Sequence, residues 1–236
     1  MIPHYFAMSE EASRRFAMEQ AAGTLVTSRP EGTFDTTFLP IIWNEDDRII
    51  MHIGRANTQW QDTDFPRPAV LVFTGAHGFV SALDYDLPDG MVSASTWDYT
   101  QVSVHGTLHC FNDAEWARAA AVCVQRLHDP EVADALTDNY LRRASRAIVG
   151  LRLDVERIEG IAKLSQNKLP HEREAICARL VEQGTAEAKA LAEDIRAAPS
   201  KARRVPFTGP LKARVVKEEA PAEDGEPPGA GDGREH

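Results

Sequence analysis

Thr100-Gln-Val-Ser-Val-His-Gly-Thr-Leu-His-Cys-Phe111 alternates apolar and polar residues along its length. In an extended chain Val102, Val104, Leu108 and Cys110 fall on one face and their polar neighbours on the other, the period-two pattern of a strand with one buried side. Gly106 interrupts the apolar series and predicts a bulge or a close backbone approach. Upstream, Ala69-Val-Leu-Val-Phe-Thr74 is a continuous apolar run, the pattern of a strand buried on both faces. Thr24–Ser28, Thr36–Trp43 and Arg48–Ile53 are also strand-like, with Pro30-Glu31-Gly32 and Asn44-Glu-Asp-Asp47 as the turns between them. Phe79-Val-Ser81 reads as another short strand, followed by an irregular loop over Asp84–Ser95, and Ile148–Ile158 reads as a late strand.

Helical signals lie at the edges of this pattern. Ser9 can cap a helix whose first turn carries Glu10 and Glu11 and whose inner face carries Phe16. Asn112 with Glu115 resembles a capping box, opening a helix with Trp116, Ala120, Cys123 and Leu127 on one face. A helix is expected over Asp138–Ser145. Pro170 and Gly184 bracket another, with Ile176 and Leu180 on its stripe, and Ala186–Ala198 forms a last one before Pro199. Six or more antiparallel strands, a few helices and no regular β-α-β alternation predict a mainly β fold with peripheral α-helices, a barrel with α additions. The expected organisation is a domain over 1–183, a helix over 184–198 and a charged tail over 199–236. From about residue 218 that tail has too little apolar surface to order itself.

Charge narrows the function classes. The net charge is −10; residues 1–194 carry 18 cations against 29 acids, or −11. Residues 195–217 hold seven cations and no acid, and 218–236 hold seven acids and one Arg. So acidic a body repels a phosphate backbone unless a local basic patch overrides the field, which argues against a dedicated nucleic-acid binder. The basic stretch 195–217 reads as a DNA or RNA arm or, more commonly, as a solvated linker. No run is long and apolar enough for a membrane span. The start lacks the features of a signal peptide, and Cys110, Cys123 and Cys177 are odd in number and widely spaced. A reducing cytoplasm is the expected compartment.

No G-x-G-x-x-G and no G-K-[ST] loop occurs, so a bound phosphate would have to be held by side chains at strand ends. Two segments have the right inventory: His52-Ile-Gly-Arg-Ala-Asn57 and Lys163-Leu-Ser-Gln-Asn167. Each places a cation beside amide or hydroxyl groups where a strand ends, which suits an anionic, planar, polar ligand. Solvated strand ends are the competing reading. Arg55 could clamp a phosphate bidentately, which Lys cannot copy, or it could pair with a surface carboxylate. Trp97 and Tyr99 share a strand face and could stack on an aromatic ligand, although aromatics at this spacing are more often core or interface residues. His105 and His109 on one regular strand would stand about 13 Å apart, too far to share a metal ion. No catalytic residue and no metal set is identified.

These segments resemble the PaiB-type FMN-binding proteins, described as FMN-binding negative transcriptional regulators. The matching pieces run in order: Met1-Ile-Pro-His-Tyr-Phe6, Gly23-Thr-Leu-Val-Thr27, Phe38-Leu-Pro40, His52-Ile-Gly-Arg-Ala-Asn57, Thr96-Trp-Asp-Tyr99, Val104-His-Gly106, Ala147-Ile-Val-Gly150 and Val155-Glu-Arg-Ile-Glu-Gly160 into Lys163-Leu-Ser-Gln-Asn167. The resemblance implies a split β-barrel that forms a homodimer and binds FMN near the subunit interface. It implies that Arg55, Ala56 and Asn57 line the flavin site, that Thr96, Trp97 and Tyr99 lie near it, and that Lys163, Ser165 and Gln166 close it. Lys163 could hold the phosphate or stabilise charge on a reduced flavin's N1–C2=O edge. His52 is a further polar contact. The chain departs from the family pattern at Thr58, Asp84 and Ser95, and at Asp98 where the family prefers Asn. These departures bear on substrate and partner more than on the barrel. Function is expected to be that of an FMN-binding flavoprotein resembling these regulators. The alternative is an FMN-dependent oxidoreductase acting on a small organic substrate.

Overall fold

The structure is a computed structural model that describes residues 6–61, 63–85 and 93–200. The expected tail, the basic stretch from 201 onward and most of the 84–95 loop lie outside the described residues. The strands are β1 (Ala22–Ser28), β2 (Phe34–Pro40), β3 (Ile42–Trp43), β4 (Arg48–Gly54), β5 (Arg67–Val80), β6 (Thr96–Phe111) and β7 (Ile148–Lys163). The helices are α1 (Glu10–Gln20), α2 (Ala114–His128), α3 (Pro130–Ala135), α4 (Asp138–Ala144), α5 (Pro170–Glu182) and α6 (Ala186–Ala197). The strands form one antiparallel sheet in the order β2-β1-β5-β6-β7-β4-β3. β2 also touches β4, which curls the sheet towards a barrel.

The alternating stretch builds the long central strand β6, flanked on one side by β5 and on the other by β7. Its inward side chains Val102, Val104 and Leu108 join Leu25, Ile49, Met51, Leu71, Phe73, Val149, Leu151 and Leu153 in the barrel core. Both readings of Gly106 hold: the β6–β7 register shifts between His105 and Gly106, and a Cβ there would sit 2.1 Å from the Asp154 carbonyl oxygen. Arg29 N–H donates to the Thr33 carbonyl across the first hairpin, and Gly32 takes a left-handed φ of 88°. In the second turn Asn44 Oδ1 accepts from the N–H groups of Asp46 and Arg48.

Several boundaries differ from the sequence reading. Phe79 and Val80 end β5 rather than forming a separate strand, because β5 continues past a register shift between Thr74 and His77. β7 runs five residues beyond Ile158, since β6 still offers a partner up to Lys163. The cap of α2 is Asp113, not Asn112, whose side chain is occupied by Arg55. The buried stripe of α2 is Ala117, Ala120 and Val124, and Cys123 and Leu127 face solvent. α3, started by Asp129 and Pro130, was not anticipated.

A second apolar cluster stands apart from the barrel core. Ile176, Cys177 and Leu180 of α5 pack with Ala188, Leu191, Ala192 and Ile195 of α6, over Val80, Tyr85 and Leu164. Together they cover the sheet end where β5 finishes, β6 begins and β7 finishes. No helix among the described residues is long and apolar enough to cross a membrane.

Candidate functional site

At the end of β4 the chain turns at Gly54 and leads into Arg55. The Arg55 guanidinium donates through Nε to the Arg146 carbonyl (2.8 Å), through Nη1 to Asn112 Oδ1 (2.7 Å) and through Nη2 to the Ile148 carbonyl (3.1 Å). It also lies over the Trp60 ring, 5.6 Å from its centroid. Two of its five N–H groups thus tie the end of β4 to the start of β7 and a third ties it to Asn112 after β6, leaving two for another acceptor. Asn57 caps the short turn Thr58–Trp60 by accepting from Gln59 N–H (2.8 Å), and its amide donates to Thr37 Oγ1 (2.9 Å). Gly54 and Ala56 are exposed, and no atom lies within 4 Å of where a Gly54 Cβ would sit, so the rim is open.

His52, two residues earlier, points partly inward. Its Nδ1 is buried without a hydrogen-bond partner, and burial pushes its pKa below the ordinary histidine value, towards the neutral ring. Around the same rim Arg142, Arg143 and Arg146 are exposed and have no ion-pair partner among the described residues. Sequence reasoning missed this cluster. Its signal is three arginines within five residues, 142–146, with no acid among them.

The other segment lies at the far end of β7. Lys163 Nζ donates to Thr96 Oγ1, to the Trp97 carbonyl and to Asp98 Oδ1 (3.3 Å). An ammonium has three donors, so this one is fully engaged within the chain. Ser165, in a left-handed conformation (φ 53°), donates to Asp98 Oδ2 at 2.5 Å. Gln166 is also turned inward: Oε1 accepts from Leu164 N–H (2.8 Å) and Nε2 donates to the Ala162 carbonyl (2.6 Å). The group they surround is Asp98, 1% exposed. Burial raises its pKa against the opposing pull of Ser165 and Lys163. Asp98 was noted only as a departure from the family's Asn, and its inward position on β6 was the legible signal.

Strand alternation turns Trp97 and Tyr99 the opposite way. Trp97 is 51% exposed, which excludes the core reading for it. Its Nε1 donates to His77 Nδ1 (3.2 Å), and His77 Nε2 stands 3.2 Å from Glu187. Phe79 meets Trp97 edge-on at 6.4 Å, and Leu83 nearby is 93% exposed. This end therefore presents an open aromatic face held in place from behind by a buried polar cluster.

Within one chain the two segments do not meet. Gly54 pairs with Ile148 at the first residue of β7, and Tyr99 pairs with Lys163 at the last, fifteen residues on. That is a contour of about 50 Å. One end is cationic and polar, the other aromatic. His105 and His109 also face different acids, Glu159 at 3.5 Å and Asp154 at 3.0 Å.

A family model described as "Putative FMN-binding domain" matches residues 1–157. The chain is 27% identical over 200 residues to the "Protease synthase and sporulation protein PAI 2" of Bacillus subtilis, covering 81% of this chain and 94% of that one. It is 22% identical over 165 residues to an uncharacterized Aspergillus fumigatus protein, covering 60% and 63% respectively. Its fold is similar to that of the flavocytochrome Anf3 from Azotobacter vinelandii, with a TM-score of 0.52, 16% identity, and 67% and 70% of the two chains covered.

Proposed function

This chain belongs to the family of FMN-binding domains, and on that premise we propose that it is a homodimeric flavoprotein of PaiB type. In this reading each FMN is shared between the Arg55 end of one protomer and the Trp97 end of its partner. The observation that carries it is the placement of the two segments at opposite ends of β7. A single flavin reaches both only if a second copy brings its far end to the first.

The chemistry of the two ends fits the two halves of FMN. Two free N–H groups on Arg55, an open rim at Gly54 and Arg142, Arg143 and Arg146, without ion-pair partners among the described residues, suit the phosphate dianion. Trp97, Tyr99 and Phe79 suit the flat ring. Lys163, Ser165 and Gln166 act from behind, fixing the strand end that presents the aromatic face. Bound FMN supplies one- and two-electron redox chemistry, and the protein supplies orientation, charge and exclusion of water. A dimer would also cover Phe34 and Phe38, 70% and 73% exposed on the edge strand β2.

The resemblance to PaiB-type regulators carries a regulatory role, exercised in the reducing cytoplasm that the scattered cysteines suit. The acidic body makes direct DNA contact the weaker part of that role. A second reading, an FMN-dependent oxidoreductase, is favoured by the open face at Trp97, Phe79 and Leu83, where a small organic substrate could lie over the ring. Reduction of the bound flavin by NAD(P)H with turnover would select it.

The shared site is tested by subunit mixing. Arg55→Ala and Trp97→Ala should each weaken FMN binding, and a mixed dimer of the two should regain one intact site per dimer. No regain in the mixed dimer, or a flavin-loaded monomer by light scattering, would sink the proposal.

A further inference from the structure

A half-enclosed cavity of about 500 Å³ lies where the barrel core meets α6, behind the sheet end whose opposite face carries Trp97 and Tyr99. Its size falls in the range of small-molecule sites. The N-terminal segment forms one wall, held to β7 where β4 no longer reaches: Met8 N–H donates to the Gly160 carbonyl (3.0 Å) and Ala162 N–H to the Phe6 carbonyl (2.9 Å). Phe16 of α1 and Leu164 after β7 supply apolar surface, and Ala197 and Pro199 form the lip at the end of α6.

The polar groups in this cavity are not matched to one another. Arg15 and Glu19 stand one turn apart on the exposed side of α1. Asp194 faces them from α6 and has no cationic partner among the described residues. Burial first, and Glu193 second, raise its pKa above the ordinary carboxylate value, as for an acid without a counter-ion. Thr100 lines the floor at 5% exposure, and its hydroxyl makes no hydrogen bond among the described residues. Gln166, in contrast, spends its amide on Leu164 and Ala162 and offers the cavity little. An apolar chamber with two carboxylates against one guanidinium, and a free hydroxyl at its floor, selects a cation with a hydrocarbon body.

We propose that this cavity binds a small apolar primary amine, with its ammonium on Asp194 and its hydrocarbon body against Phe16, Met8 and Leu164. Thr100 lies on the face of β6 opposite Trp97 and Tyr99, so flavin-free and flavin-loaded protein are expected to bind the amine alike.

Dansylcadaverine, an aryl sulfonamide with an alkylamine arm, is a suitable probe, titrated into the full-length protein and followed by its fluorescence. One probe is expected per chain, displaced by hexylamine but not by hexanoate. Asp194→Asn should weaken it about tenfold or more, as for loss of a charged hydrogen bond. Ala197→Trp, at an exposed position on the lip, should block it while leaving the thermal melting and flavin retention unchanged. Thr100→Val should weaken it a fewfold. The proposal is overturned if no probe binds, if Asp194→Asn and Ala197→Trp bind it as well as the parent, if hexanoate competes equally, or if FMN displaces it.

Discussion

Lys163→Met tests how the aromatic end of the site is held. The substitution keeps much of the side chain's length but removes three donors, to Thr96, the Trp97 carbonyl and Asp98. Asp98 is left 1% exposed with Ser165 as its remaining hydrogen-bond partner among the described residues. Removing one member of a buried pair costs 3–5 kcal/mol, most of it from the charge left behind. Lys163 is itself 24% exposed, so water can replace part of what is lost, and about 3 kcal/mol is the expected cost. Asp98→Asn leaves an oxygen to accept from Lys163 and no buried charge, and should cost under about 1 kcal/mol. In the double variant the penalty of Lys163→Met should largely vanish.

The pH dependence has a definite sign. Asp98 is raised above its ordinary value of 3.8 in the folded state, so its ionisation costs stability as pH rises from that value through the folded pKa. Loss of Lys163 raises it further, so the penalty should be larger at neutral pH and shrink as pH falls towards about 4. Urea unfolding of the flavin-free protein at both pH values, with both single variants and the double, measures all of this. Additive effects, or a penalty that does not change between pH 7 and pH 4, would show that Asp98 and Lys163 are not coupled as described.

Arg55→Ala should weaken FMN binding by at least ~1 kcal/mol, measured by fluorescence titration, and an unchanged affinity would move the phosphate elsewhere. Gly150→Ala would place a Cβ 1.9 Å from the Trp116 ring, which stacks on Phe111 at 4.3 Å. Its melts should show a loss of about 1–3 kcal/mol, with a changed near-ultraviolet dichroism from the displaced pair. His52 is depressed by burial, so its contribution to stability is full above its ordinary value of 6.5 and is lost as pH falls through the lower folded value. His52→Phe should remove that acid-side loss, and chemical unfolding at pH 7 and pH 5 checks it.

The sheet was legible because its strands carry period-two or continuous apolar patterns long enough to read without their neighbours. Val102, Val104 and Leu108 point inward in β6 as their spacing requires, and Gly106 marks a bulge because only a residue without a side chain fits against the Asp154 carbonyl. The start of α2 was misplaced by one residue for a tertiary reason. Asn112 has the chemistry of a cap, but Arg55, distant in sequence, uses its oxygen, and Asp113 starts the helix one residue later.

The candidate site divides in the same way. The residue types, the absence of a glycine-rich phosphate loop and the ordered motifs belong to the sequence, and they specified an FMN-binding split barrel with Arg55 and Lys163 among its polar strand ends. Pairing decided what those residues can do. β7 joins β4 at its first residues and β6 to its last, so antiparallel hydrogen bonding sends the two motifs to opposite ends of one strand. Thr96, the Trp97 carbonyl and the inward-turned Asp98 then engage every donor of Lys163, whereas Arg55, with five N–H groups, has two to spare. Spacing along a chain conveys which face a side chain takes, but not which distant residue has already claimed its hydrogen bonds.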